Sequence, residues 1–347
     1  VQFRRARKSR RLRCKPYRNA VERFFSTPGN LDVPELGEVS LATSLTSEGI
    51  EFEAATFVQL TRNQALREKL LDECGCVFLS STYLRNSDEV ELAASMVKTV
   101  SNKLVLGGAL TGLLHHEWKS SPLVDVIAVG YGELLVPALA DWIRSGYSEL
   151  RPPPTGWMRK VGSNTLLYSG YLPGKSLDAL QAPDWSIAQN YHDREFGLAL
   201  YESVRGCPFR CAFCNYPFLF GDTKFRIRTA EKIAEDWERL AAHGFRKISC
   251  LDSLFTMPRH RLRRLCDLLI ERELPLQWTC FARADDLVDP HICRMLKHAG
   301  CEKVLIGVES GSQEMLDNMN KRTSVAANAQ ALQNCREAGI TTSVSLI

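Results

Sequence analysis

No stretch of this 347-residue chain is long and apolar enough to cross a membrane. The longest apolar run, LVLGGALTGLL (104–114), falls short of the roughly 18–20 residues that a span requires. No basic segment followed by an apolar core and a cleavage site opens the chain, so no secretory signal is read and a cytoplasmic protein is expected. Internal repeats and low-complexity runs are also missing. Acidic residues are absent from residues 1–18, VQFRRARKSRRLRCKPYR, which hold nine of the 44 Lys and Arg and none of the 40 Asp and Glu. The formal net charge of +4 therefore hides a basic arm on a body of net charge −5. Such an arm could meet nucleic acid or an anionic surface, but it lacks interleaved aromatics and reads first as a solvated tail.

Against these absences stand a length sufficient for two domains and a composition ordinary for a globular protein, 45% hydrophobic and 24% charged. Twelve cysteines are present, and without a secretory signal a disulfide framework is not expected. Cys266 and Cys335 read as small buried hydrophobes at helical spacing. Cys74 and Cys76 read as core or strand-edge residues.

The pattern divides the chain. Residues 33–57 read as a helix, a break at Gly49 and a strand. Strands at 76–84, 103–109 and 124–133 then alternate with helices in units of about 30 residues, the mark of a doubly wound, Rossmann-like parallel sheet. Glycines cluster where those strands end, which is where such sheets bind ligands. Residues 147–197 carry most of the proline and glycine punctuation and read as a wrapping linker. From 198 the alternation resumes, with strands at 198–204, 247–255, 276–287, 303–311 and 341–347. Thr229 and Asp289-Pro290 open helices, and Gly244 and Gly300 end them. This is the sequence of a TIM-type (β/α) barrel that stops within its fifth strand. The expected fold class is α/β, organised as a basic arm (1–32), a Rossmann-like domain (33–146), the linker (147–197) and a partial barrel (198–347).

The densest chemistry is RGCPFRCAFCNYP (205–217), in which Cys207, Cys211 and Cys214 lie within eight residues. A closed zinc site needs four ligands, usually from two Cys pairs or with paired histidines. Three thiolates on one short loop suit three irons of a 4Fe–4S cluster with the fourth iron open. Spacing alone favours iron–sulfur over zinc and leaves both open.

SVRGCPFRCAFCNYP, directly after a strand, resembles the cluster loop of the radical S-adenosylmethionine superfamily. The likeness continues through LDSLFT (251–256), WTCFARADDL (278–287), LKHAGCEKVLIGVESGSQEMLDNMNKRTS (296–324) and AGI (338–340). FLSST (78–82), LVLGGAL (104–110) and VDVIAVGYGE (124–133) resemble the cobalamin-binding domain that precedes this barrel in one large subfamily. The resemblance implies that Cys207, Cys211 and Cys214 hold the cluster and that its open iron takes S-adenosylmethionine. Reductive cleavage would then give methionine and a 5′-deoxyadenosyl radical. It further implies that Phe213 packs on the adenine and that Asp252 and Ser253 grip the methionine amino group. Arg283 would meet the carboxylate, and Glu309 and Ser310 would contact the ribose or methionyl part. Arg205 and Arg210 flank the loop and could offset the charge of a cluster.

Cobalamin would be approached by Ser80, Ser81, Thr82, Gly107, Gly108, Gly130, Gly132 and Glu133. The Asp-x-His-x-x-Gly motif by which some cobalamin domains present histidine to cobalt is missing, and His115-His116 does not replace it. The resemblance points to methylation of an unreactive carbon of a small-molecule or peptide substrate, with electrons from a flavodoxin or ferredoxin. A cyclase, a rearrangement enzyme or a methylthiotransferase not using cobalamin are the alternatives within the family. A non-catalytic zinc- or nucleic-acid-binding protein is the alternative outside it.

Overall fold

The computed structural model describes residues 33–192, 195–219 and 224–347. The basic arm, and the nucleic-acid reading attached to it, lie outside the described residues. The first described helix, α1 (Leu36–Ser47), buries Val39, Ala42 and Leu45. The strand expected after Gly49 does not form. Thr56 and Gln59 instead make a reciprocal capping box, in which Gln59 N donates to Thr56 Oγ1 at 3.2 Å and Thr56 N to Gln59 Oε1 at 2.7 Å. Two otherwise unsatisfied amides are met this way, and α2 (Phe57–Arg62) starts where a strand was read. Asn63 caps α3 (Gln64–Glu73), a helix the pattern had not shown.

The first sheet follows, with β1 (Cys76–Ser80), α4 (Ser87–Val97), β2 (Lys103–Gly107), α5 (Ala109–Leu114), β3 (Val126–Val129) and α6 (Gly132–Arg144). Within the expected linker, β4 (Trp157–Val161) and β5 (Asn164–Tyr168) form a hairpin across Gly162-Ser163. β5 joins parallel to β3, and β4 closes the edge antiparallel, giving the order β1-β2-β3-β5-β4. The sheet is therefore mixed rather than wholly parallel. Leu79, Leu104, Leu106, Ile127 and Leu166 bury one face, while Val105, Val126 and Leu167 bury the other. Each such side chain withdrawn from water contributes about 1.5–3 kcal/mol.

After α7 (Trp185–His192) comes the second sheet. Its elements are β6 (Leu198–Tyr201), the short pair β7 (Val204–Arg205) and β8 (Arg226–Ile227), α8 (Ala230–Ala242), β9 (Lys247–Cys250), α9 (Arg259–Glu271) and β10 (Gln277–Ala282). α10 (Pro290–His298), β11 (Cys301–Glu309), α11 (Gln313–Asn318), α12 (Val325–Glu337) and β12 (Thr341–Leu346) follow. Strands β6, β9, β10, β11 and β12 are parallel neighbours in that order. Thr229 caps α8 by accepting from Lys232 N, and Asp289 caps α10 by accepting from His291 N. Trp237, Phe255 and Trp278 pack together in the core, with Cys250, Cys266, Cys280, Cys301 and Cys335 fully buried beside other apolar groups. Several strands end earlier than their apolar runs: the run 247–255 leaves the sheet after Cys250. Its remaining residues turn toward the cysteine loop. Among the described residues no helix is long and apolar enough to cross a membrane.

Candidate active site

The cysteine loop follows the C-terminal end of β6. The loop is entered through Gly206, whose φ of 80° favours glycine. A Cβ there would also fall 2.2 Å from Lys224 O, so no side chain fits. Cys207, Cys211 and Cys214 are half-buried, free thiols, and Cys214 N donates to Cys211 O at 3.1 Å in a tight turn. Burial pushes the Cys207 thiol up, and the nearby Cys214 and Cys211 act in the same sense. The thiols share the loop without converging on a point: among the described residues, no three His, Cys, Asp or Glu side chains do so. No closed zinc site is therefore assembled. Three accessible soft donors with no fourth fit an iron–sulfur cluster that leaves one iron to another ligand.

Asp252 and Ser253, just past β9, spend their polar atoms on the root of this loop. Asp252 Oδ1 accepts from Ser203 N at 2.6 Å and Val204 N at 3.0 Å, and its other oxygen accepts from the Ser203 hydroxyl. Ser253 Oγ donates to Gly206 O at 2.8 Å. Burial pushes the Asp252 carboxyl up to about 6, although Arg261 and the Ser203 hydrogen bonds oppose the shift.

Past β10, Arg283 is buried and bonded through two of its three guanidinium nitrogens. Its Nε donates to Asp285 at 2.9 Å, its Nη2 donates to Lys321 O at 2.6 Å and Arg322 O at 3.0 Å, and its guanidinium lies 3.9 Å from the centroid of the Phe209 ring. At the end of β11, Glu309 has a left-handed φ of 60° and pairs with Lys321, Oε1 to Nζ 2.7 Å. Its other oxygen accepts from Ser345 Oγ at 3.0 Å. A Cβ on Gly307 would lie 2.5 Å from Glu309 Oε1 and 2.7 Å from Lys321 Nζ, so that glycine makes room for the pair. Lys321 Nζ also stands 5.7 Å from the centroid of the half-exposed Phe213 ring. Ser310 stands beside Glu309 and accepts from Ser312 N at 3.2 Å. Lys321 is a site residue that the sequence does not reveal, because a buried lysine cannot be told from a surface one in NMNKRTS.

On the first sheet, Ser80, Ser81, Thr82, Gly107 and Gly108 come together where β1 and β2 end. Ser80 Oγ donates to Thr82 Oγ1 at 3.1 Å, and Ser81 Oγ accepts from Thr111 N at 3.3 Å. Gly108, φ 102°, leaves no space for a Cβ, which would meet Ser81 N at 2.9 Å and Thr82 N at 3.0 Å. Gly130 packs instead on Ser169 at the end of β5, and a Cβ there would come 2.3 Å from its Oγ. Gly132 opens α6 with free space where a Cβ would go.

Glu133 departs from that group and reaches across to the barrel. Its carboxylate takes two hydrogen bonds from Arg205, at 2.6 and 3.2 Å, while Arg205 Nε donates to Glu202 at 2.7 Å. Arg205 also lies 5.1 Å from the Tyr131 ring centroid. Burial would raise the Glu133 carboxyl, but Arg205 outweighs it and holds the group below its ordinary value. Arg205 therefore faces two carboxylates, Glu133 and Glu202. A second contact joins the halves: a Cβ on Gly112, in α5, would lie 3.0 Å from Leu219 O, in the segment after the cysteines.

An open five-stranded parallel sheet whose first strand opens into a three-thiol loop, preceded by a mixed sheet with glycines at its strand ends, defines an α/β protein with a soft-metal loop. Residues 201–347 match the model of the radical SAM superfamily, so this part of the chain is a radical SAM domain. It is 30% identical over 262 residues to an anaerobic magnesium-protoporphyrin IX monomethyl ester cyclase of Cereibacter sphaeroides, covering 72% of this chain and 42% of that one. It is 25% identical to a hopanoid C-3 methylase of Methylococcus capsulatus, covering 91% of this chain and 61% of that one. Its fold resembles the solved structure of the cobalamin-dependent S-adenosylmethionine radical enzyme OxsB with aqua-cobalamin and S-adenosylmethionine bound. The TM-score is 0.68 at 19% identity, over 93% of this chain and 48% of that one. The chain thus spans about half the length of the curated relatives it matches first, 42% and 52%.

Proposed function

We propose that this chain carries the cofactor-binding halves of a cobalamin-dependent radical S-adenosylmethionine enzyme that methylates an unreactive carbon. The observation that carries the reading is the latch between Glu133 and Arg205. It ties the glycine-lined mouth of the first sheet to the residue two before Cys207, so two cofactors held at these mouths would face one shared substrate space. When bound, the cluster and S-adenosylmethionine supply one-electron radical chemistry, and cobalamin supplies a methyl carrier.

Cys207, Cys211 and Cys214 hold the metal, and Asp252 and Ser253 fix the root of their loop. The latter two act as braces in this reading rather than as contacts to the methionine amino group. Phe213 offers an exposed ring face beside the third thiol, and Lys321 with Glu309 places a buried, balanced ion pair under that face. Ser310 stands at the rim beside them. At the first sheet, Gly107 and Gly108 with the small Ser80, Ser81 and Thr82 keep bulky side chains away from the strand ends, allowing close approach of a large ligand. In domain terms, residues 33–146 with the 157–168 hairpin hold cobalamin and residues 198–347 hold the cluster. Reductant and substrate meet the shared mouth, the reductant being an electron-transfer protein of flavodoxin or ferredoxin type.

The similarity to a cyclase favours one second reading, ring closure from the same radical. The test is to give anaerobically reconstituted full-length protein S-adenosylmethionine and dithionite. Formation of 5′-deoxyadenosine and methionine, lost in Cys211→Ala, is expected. Label from methyl-cobalamin appearing in product supports methylation, product without it supports the cyclase, and no cleavage of S-adenosylmethionine contradicts both.

A further inference from the structure

The loop between Cys207 and Cys214 is gripped at two separate points by a segment about a hundred residues away in sequence. After α11 the chain turns through Met319–Arg322, and two non-glycine residues of that turn, Asn320 (φ 49°) and Arg322 (φ 55°), adopt left-handed backbone. Such conformations cost free energy and persist where surrounding contacts impose them. Here the contacts are with the cysteine loop. Ala212 N donates to Met319 O at 2.8 Å, and Asn320 Nδ2 donates to Arg210 O at 2.7 Å. Arg283 fastens the turn from the barrel side by donating to Lys321 O and Arg322 O, and its guanidinium covers Phe209. Lys321 approaches Phe213. The turn and Arg283 therefore touch Phe209 and Arg210, between the first and second thiols, and Ala212 and Phe213, between the second and third.

A three-thiol loop without a fourth protein ligand must order itself around its metal, and each residue fixed costs about 1–2 kcal/mol of backbone entropy. We infer that the Met319–Arg322 turn with Arg283 is a brace that orders the metal-binding loop, and that Asn320 and Arg283 are positioning residues for the cluster. On this inference the Nε and Nη2 of Arg283 are committed to the fold, to Asp285, Lys321 O and Arg322 O. The inference rests on the proposed reading of Cys207, Cys211 and Cys214 as cluster ligands.

Two variants separate bracing from folding. Asn320→Gly keeps the left-handed backbone and removes the amide that reaches Arg210. Phe209→Leu removes the ring beneath Arg283 and leaves every Arg283 hydrogen bond in place. Wild type and both variants are reconstituted anaerobically, and two quantities are read: the rate of iron loss to a ferrous chelator, and the electron paramagnetic resonance spectrum of the reduced protein. Both variants should load iron as wild type does, release it roughly three- to tenfold faster, as expected for one lost hydrogen bond or ring contact, and show shifted g-values. Wild-type release rates and an unchanged spectrum in both variants would overturn the brace while leaving the cluster reading intact. Wild type that takes up no iron would overturn the cluster reading, and the brace with it.

Discussion

Where β1 and β2 end, the chain offers only small side chains: Gly107 and Gly108 stand beside Ser80, Ser81 and Thr82, and the local amides are bonded within the turn, Ser81 N to Gly107 O at 2.7 Å and Thr82 N to Ser80 Oγ at 3.4 Å. Where β9, β10 and β11 end, the opposite holds. Asp252, Arg283, Glu309 and Lys321 are all buried there, and each is tied to a named protein partner. One mouth is made of backbone and space, the other of charges already balanced against each other. Backbone and space suit a large ligand held over a wide area; a rigid, pre-paired charge set suits a small reactive cofactor whose position must not drift. The Glu133–Arg205 pair is where the two styles meet.

Disabling each mouth alone should separate the two metals. Cys211→Ala should abolish iron loading at the barrel while cobalt uptake from added cobalamin persists, both read by metal analysis. Gly108→Val should do the reverse. Its Cβ has no room against Ser81 N and Thr82 N, so cobalamin affinity should fall at least about tenfold with iron loading retained. If either substitution removed both metals, the mouths would not be separate sites.

Smaller effects probe the seam. Glu133→Gln removes one partner of a buried ion pair and should cost about 3 kcal/mol of stability by denaturant unfolding, toward the low end because Glu202 stays on Arg205. Glu133 and Asp252 should also respond oppositely to pH. Glu133 is held below its ordinary value, so the unfolded chain binds the extra proton. Its contribution is present above the ordinary carboxylate range and lost as pH falls through and below it. Asp252 is pushed up to about 6 from an ordinary 3.8, so the folded chain binds the extra proton in between. Stability therefore falls as pH rises through that window. The stability of wild type relative to Asp252→Asn, followed by thermal melting, should decline by about 2–3 kcal/mol between pH 4 and pH 6 and then level off. A flat difference would mean that the carboxyl is not desolvated as described.

The parts of this arrangement that were legible in the sequence are those fixed by local chemistry. Thr229 and Asp289 cap their helices because a short side-chain oxygen reaches an amide two or three residues on. Glycines at 108 and 130 stand where the backbone has no room for a side chain. The cysteine triplet declares a soft-metal loop by spacing alone. Misreadings had local causes too: the capping box at Thr56–Gln59 outweighed the strand pattern before it, and the Gly162-Ser163 turn was lost among the prolines of the supposed linker.

What the sequence could not show depends on separation along the chain. Glu133 and Arg205 lie 72 residues apart, and Asn320 and Arg210 lie 110 apart. No periodicity connects such pairs. For the same reason Asp252 and Arg283, placed by family likeness as ligand contacts, have structural partners that only the folded chain reveals.

In the proposed function one chain holds two different cofactors at two mouths. The most direct test is the iron, sulfide and cobalt content, with the visible spectrum, of full-length protein reconstituted anaerobically with iron, sulfide and cobalamin. About four irons and about one cobalt per chain, with a broad brown absorbance, are predicted. Iron without cobalt would contradict the two-mouth account, and a colourless protein holding zinc would contradict the reading of the cysteine loop itself.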